Sequence, residues 1–216
     1  IIAGGTYTHN GQALTLGGAG GAAGNVTDNT GVNLGAVTVN TAAKTATTQL
    51  LVDSLSLTSS LDIGGNDLTV SGAFTNNGVL LRNGSGESAP QCNTSGTVAY
   101  KLTVGGTIET YGGTLVNKDY FHLRIDSGSF SLPTDLMVLD TLEIAGGTLS
   151  GGNRTITIEG TFNGSGGTFS HGTSDLVIDN TSGSYPVSYV YGSNTFYRFT
   201  CNSPSKEIRF EATETQ

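Results

Sequence analysis

Tryptophan is absent from these 216 residues, methionine occurs once, and nine Lys or Arg stand against seventeen Asp or Glu. The net charge of −8 and the scatter of the few cations exclude the clustered basic side chains that neutralise nucleic-acid phosphates, and disfavour an anionic membrane surface. No apolar run approaches the roughly 18 residues needed to cross a bilayer, so membrane insertion is not expected. The start lacks a basic segment followed by an apolar one. That fits a chain whose signal has been removed or an excerpt from a longer protein. Its last residues, Ile208 to Gln216, alternate like a strand without a cap and read as a cut through something longer.

Apolar residues do not recur at i, i+3, i+4 and i+7, so helix is not expected. The motifs of common chemistry are missing too. There is no Gly-x-Ser-x-Gly elbow, no phosphate loop, no Cys-x2-Cys and no His-Glu-x2-His, and His9, His122 and His171 are scattered. No catalytic, cofactor-binding or metal-binding residue is assigned, no cofactor is implied, and the chain is not expected to be an enzyme. Only two cysteines occur, Cys92 and Cys201. In a linear stack they would lie about five coils and roughly 20 Å apart, too far for a disulfide, which needs Cα atoms within about 7 Å. Two free thiols are expected, with Cys201 facing the core beside Phe199.

What is present is glycine, 33 of it, with abundant Thr, Ser and Asn. Alternation at period two recurs, as in Phe121, Leu123 and Ile125 between His122, Arg124 and Asp126. Four stretches align without gaps: Val70 to Gly78, Val104 to Gly112, Val138 to Gly146 and Ile158 to Gly166, spaced by 34, 34 and 20 residues. Three extend into a shared Gly-Thr-Leu/Phe run at Gly113, Gly147 and Gly167. A strand-turn-strand unit of this size cannot bury its apolar face alone and must stack on copies of itself. Gly64-Gly65-Asn66 and Gly151-Gly152-Asn153 each lead into a following strand, supplying the positive φ of a sharp corner.

The expected fold is therefore all-β, a solenoid of nine or ten stacked coils. At about 4.8 Å per coil this makes a rod about 45 Å long. Residues 1–45 are expected to form irregular first coils or an N-terminal cap, and 46–216 one continuous repeat domain. Residues 84–96, polar and rich in Gly and Ser, are expected to project as a loop. A longer-range match sets Phe121, Leu123, Ile125 and Leu132 against Tyr197, Phe199, Cys201 and Ile208.

The run Ser60 to Gly78, with Leu61, Ile63, Leu68, Val70 and Phe74 among Gly, Asn, Asp and Thr, resembles repeats of large exported bacterial surface proteins. These are adhesin-like chains in the manner of filamentous haemagglutinin and pectate lyase, and the resemblance implies that the stacked coils form a right-handed parallel β-helix. The resemblance covers about residues 50–216 and is one of repeat style. It implies a fibre-like scaffold outside the cell or on its surface, and it brings no functional residue with it.

Some residues bear on chemistry. Asp119, Asp126, Asp135 and Asp140, with His122 and Arg124, are the candidate carboxylate face of a polysaccharide-acting β-helix. Outward polar residues on a half-buried strand are what any exposed face carries, and a solvated face is the favoured reading of them. The turn Gly64 to Asp67 faintly resembles a calcium-binding β-roll, but its counterpart carries Arg154 in place of Asp67. Tyr185, Tyr189, Tyr191, Phe196, Tyr197 and Phe199 form an aromatic group able to meet sugar rings. Thr107, Thr141 and Thr161 fall in one register, yet without the Thr-x-Thr ladder of an ice-binding face. The leading expectation is a non-enzymatic structural module of a fibrous surface protein, such as an adhesin, sheath or filament component. Its partners would be further copies of itself, flanking repeats or surface glycans. The alternatives are a self-assembling filament subunit and a polysaccharide-binding or polysaccharide-degrading β-helix.

Overall fold

Period-two alternation puts apolar side chains on one face of each short strand, and parallel stacking of coils covers that face. The computed structural model describes residues 13–17, 23–28, 31–84, 86–102, 105–114 and 118–211. His9, most of the Gly17–Gly24 run, Val104 of the second repeat copy, Leu115 and the chain end from residue 212 lie outside them. Among the described residues there is no helix, and parallel strands stack as a β-solenoid of about nine turns. The chain divides into two compact units, Ile1–Pro90 with Ser95–Val98, and Gln91–Thr94 with Ala99–Gln216.

In the first unit the strands Leu14–Leu16, Ala36–Val39, Ser54–Leu57 and Phe74–Asn76 stack in parallel. Their register aligns Leu14, Val37, Leu55 and Phe74 in one apolar column. A second face stacks Gly24–Val26, Lys44–Ala46, Ser60–Asp62 and Val79–Arg82, burying Val26, Ala46, Leu61 and Leu80. Leu50–Val52 pairs with Leu68–Val70 on a third. Among the described residues strands begin at Leu14, so stacked coils already form within residues 1–45, at the short runs 13–16 and 32–39 that alternation marks there.

Residues 84–96 do not project as expected. Arg82 and Glu87 are buried, with Nε 3.7 Å from Oε2, and the Glu87 carboxylate accepts the Asn83 amide at 2.8 Å. Ser88 donates its amide to Asp67 Oδ1 at 2.7 Å and accepts that of Leu68 at 2.8 Å. Within the second unit Cys92 is buried and its carbonyl accepts the Phe121 amide at 2.8 Å. Polar composition signals a projecting loop only when the polar groups lack protein partners.

The second unit has the more regular core. One column runs Leu136, Ile156, Leu176, Phe199; the next Tyr120, Val138, Ile158, Ile178, Cys201; a third Leu123, Leu142, Phe162, Val190, Phe210. Phe130, Leu149 and Phe169 form a further column on another face. The copies beginning at Val138 and Ile158 are stacked as the alignment implies, with Leu142 on Phe162 and Leu149 on Phe169. At the corner before that face Gly147 has φ +67, and a Cβ there would lie 2.1 Å from the Gly128 carbonyl oxygen. Only glycine lets these coils approach so closely.

Three expectations need correction. The copy at Val70 belongs to the first unit, where Val70 pairs with Val52 and Phe74 with Leu55. The long-range match fails, because Leu123 stands in the column of Phe210 and Phe199 in that of Leu136. Both cysteines are free, but Cys201 is exposed, although its register places it on buried Ile178. Alternation fixes the side of the strand. Burial needs a further coil, and among the described residues no strand pairs beyond Arg198–Cys201.

Leu142 has no exposed surface and lies between Leu123 and Phe162. Leu142→Ala should therefore cost about 3 kcal/mol of unfolding free energy. Chemical denaturation of both proteins checks this, and an unchanged midpoint would contradict the assigned column.

Candidate functional site

The rhythm of the second unit breaks between Phe162 and Val190. These in-register neighbours are 28 residues apart, against 20 from Leu142 to Phe162. The excess is a turn segment held by its own polar groups. Asp179 accepts the Asn180 amide at 2.8 Å and the Thr181 hydroxyl at 2.7 Å, and Asn180 Oδ1 accepts the Tyr185 amide at 2.8 Å.

Glu159, fully buried after the strand Thr155–Ile158, is the hub beneath that segment. Its Oε1 lies 2.5 Å from Lys118 Nζ, and its Oε2 accepts the Ser182 amide at 3.1 Å and the Ser182 hydroxyl. Its carbonyl accepts Ser188 Oγ at 3.1 Å and Lys206 Nζ at 2.5 Å, and Lys206 also donates to the Tyr185 carbonyl at 2.5 Å. Burial pushes the Lys206 ammonium below its ordinary pKa, against the opposing pull of Glu159. Burial, with the negative charge of Asp140 and Glu159, raises the Tyr185 phenol. The buried carboxylate and the Lys118 ammonium neutralise one another. The arrangement clamps successive coils and holds no free acid or base.

The carboxylates selected from sequence do not converge. Asp119 is buried and works as a backbone cap, accepting the amides of Tyr111 at 2.7 Å, Gly113 at 2.9 Å and Met137 at 2.8 Å. Asp126 is paired with Arg124 at 2.5 Å, and Asp135 accepts the Thr155 amide at 2.9 Å. Among the described residues no three His, Cys, Asp or Glu side chains gather as metal ligands. At the Gly64–Asp67 turn, Gly64 and Gly65 have φ of +61 and +87, the corner geometry expected of the pair. There the Asp67 carboxylate is engaged by Ser88.

Asp140 does lie near His122. Burial lowers the pKa of His122, Asp140 and Glu143 raise it, and Arg124 lowers it further, leaving the ring below its ordinary value near 6.5. Glu143 Oε2 lies 3.8 Å from His122 Nε2. The aromatic group splits in two. Phe196 and Phe199 join Phe162, Phe169 and Phe210 in edge and tilted contacts, whereas Tyr189 and Tyr191 stand half-buried with parallel rings 5.7 Å apart. Arg209, held by Glu207 at 2.7 Å, lies 5.8 Å from the Tyr189 ring centre. Tyr197 is largely exposed.

Sequence reading passed over Lys118, Glu159 and Lys206. The available signal was Glu159 itself, in a position where the aligned copies carry Ser71, Gly105 and Leu139. No family model matches the chain, and neither a curated protein nor a solved structure matches it.

Two outcomes follow. Lys118→Met leaves the Glu159 charge buried and uncompensated, so it should cost about 3–5 kcal/mol, whereas Lys118→Met/Glu159→Leu should recover part of that loss. A double-mutant cycle in urea measures both. Because the folded pKa of His122 is depressed, the unfolded chain binds the proton more readily. The stability from neutral His122 is full above about 6.5 and is lost as pH falls towards the folded value. His122→Gln should flatten the decline in stability on acidification below 6.5, and an identical pH profile would contradict this.

Proposed function

We propose that the chain is a non-enzymatic structural module of a fibrous extracellular or cell-surface protein, adhesin-like in its repeat style. The observation that carries this reading is the dispersal and mutual engagement of its charges on a continuously paired parallel scaffold. Glu159, Asp119, Asp126 and Asp135 each hold a neighbouring strand, turn or cation. A hydrolase or lyase needs acidic and basic groups aimed at one substrate atom. A scaffold needs ladders that share load along the stacking direction.

Single-molecule pulling of the chain between handles tests the reading. Stepwise rupture at forces well above those that extend an unfolded chain is expected, and featureless extension would contradict it. Release of reducing ends from any polysaccharide would instead favour the enzymatic alternative.

One observation favours surface glycans as a partner. Tyr189 and Tyr191 present parallel rings on a face that continues through Thr161 and Asn163 to Thr141 and Glu143, then to His122 and Arg124. Aromatic rings bordered by hydrogen-bonding side chains suit sugar rings. Tyr191→Ala should abolish retention on a glycan array without changing the melting temperature, and undiminished retention would remove this face from consideration.

A further inference from the structure

We propose that the hydroxyl-bearing face of Ser129–Ser131, Thr148–Ser150 and Thr168–Ser170 binds ice, and that the first unit carries a second such face around Thr38, Ser56 and Thr75. The register sets Ser129, Thr148 and Thr168 in one outward column and Ser131, Ser150 and Ser170 in another, while Phe130, Leu149 and Phe169 point inward. Among the described residues none of these six hydroxyls has a hydrogen-bond partner in the protein. The three strands contain no Asp, Glu, Lys or Arg.

The sequence hid this array because Thr107, Thr141 and Thr161 do not share one register. Thr141 pairs with Thr161, but Thr107 stands opposite Ser131 and so extends the second hydroxyl column. The first unit repeats the device independently. Thr15, Thr38, Ser56 and Thr75 are in register. Beside them the amides of Thr58 and Asn77 continue the ladder onto the carbonyls of Val39 at 2.9 Å and Leu57 at 2.7 Å, placing Asn40, Thr58 and Asn77 in an adjoining polar column.

The chemistry of the occupant follows from what the face offers. Hydroxyls repeat at about 4.8 Å between coils and about 6.6 Å between alternate residues of a strand, a regular two-dimensional array that an ordered layer of water can follow. A mineral lattice would call for carboxylates, a sugar for aromatic rings, and a protein partner for large apolar anchors. None of these lies at the outward positions of the three strands, whose aromatic and apolar side chains, Phe130, Leu149 and Phe169, are buried. The glycine corner at Gly128 and Gly147 and the buried aromatic column fix the hydroxyls in place. Little ordering remains to oppose the anchoring of a water layer.

Thermal hysteresis, ice recrystallisation inhibition and partition of the fluorescently labelled chain into a growing ice hemisphere test the proposal. The unmodified chain should slow recrystallisation and enter the ice. Thr148→Lys/Ser150→Lys and Ser56→Lys/Thr58→Lys should each lose part of the effect, and the combined variant all of it. Thr141→Lys, on a different face, should retain it. Circular dichroism and melting confirm that each variant folds. Should the central substitutions disturb the strand, Thr168→Lys and Ser170→Lys at exposed positions replace them. An unmodified chain without effect on ice, or a folded combined variant with undiminished effect, would overturn the proposal.

Discussion

The in-register parallel pairing of each strand with its equivalent one coil further along constrains everything else in this chain. It places like beside like at about 4.8 Å, a separation at which directly opposed like charges repel. The low charge content follows, and so does the distribution of the charges that remain. Arg124 stands beside Glu143, and Asp175 beside Arg198 with 2.7 Å between charged atoms. Thr141 beside Thr161 and Leu149 beside Phe169 are what such a column accepts without compensation.

The same constraint explains the buried network at Glu159. Between Phe162 and Val190 the chain takes a longer route, and the turn segment it makes has no equivalent one coil below. Side chains must then supply partners that the ladder supplies elsewhere. Ser182 and Ser188 do so on the longer coil, and Lys118 and Lys206 arrive from coils on either side of Glu159. Removing a buried ion pair costs less than breaking one, so such a group need not mark chemistry. At Glu159 every strong group has a partner in the protein, and the polarity is that of a repaired corner.

Much of the fold was legible because stacking writes itself into sequence as repetition. Val138 over Ile158 and Leu142 over Phe162 could be paired by alignment alone. Legibility failed where the same pattern has two structural meanings. The copy at Val70 matches in residue type yet sits in the other unit, because alternation with a glycine turn recurs in any coil. Asp119 looked like a surface carboxylate and is a buried cap for three amides, which no spacing rule distinguishes. Exposed Cys201 shows that facing inward and being covered are separate properties.

Function, in a molecule built this way, is sought on the columns that the core leaves facing outward. The ladder that orders Phe130, Leu149 and Phe169 inside orders Ser129, Thr148 and Thr168 outside with the same fidelity, since alternate residues share one backbone. Outward columns with charge are already engaged, as Arg124 is by Asp126 and Arg209 by Glu207. The hydroxyls of Ser129, Ser131, Thr148, Ser150, Thr168 and Ser170 are ordered equally well and have no hydrogen-bond partner among the described residues. Order without internal satisfaction distinguishes a surface made to meet something regular from one that only faces solvent, and the six hydroxyls on Ser129–Ser131, Thr148–Ser150 and Thr168–Ser170 meet both conditions.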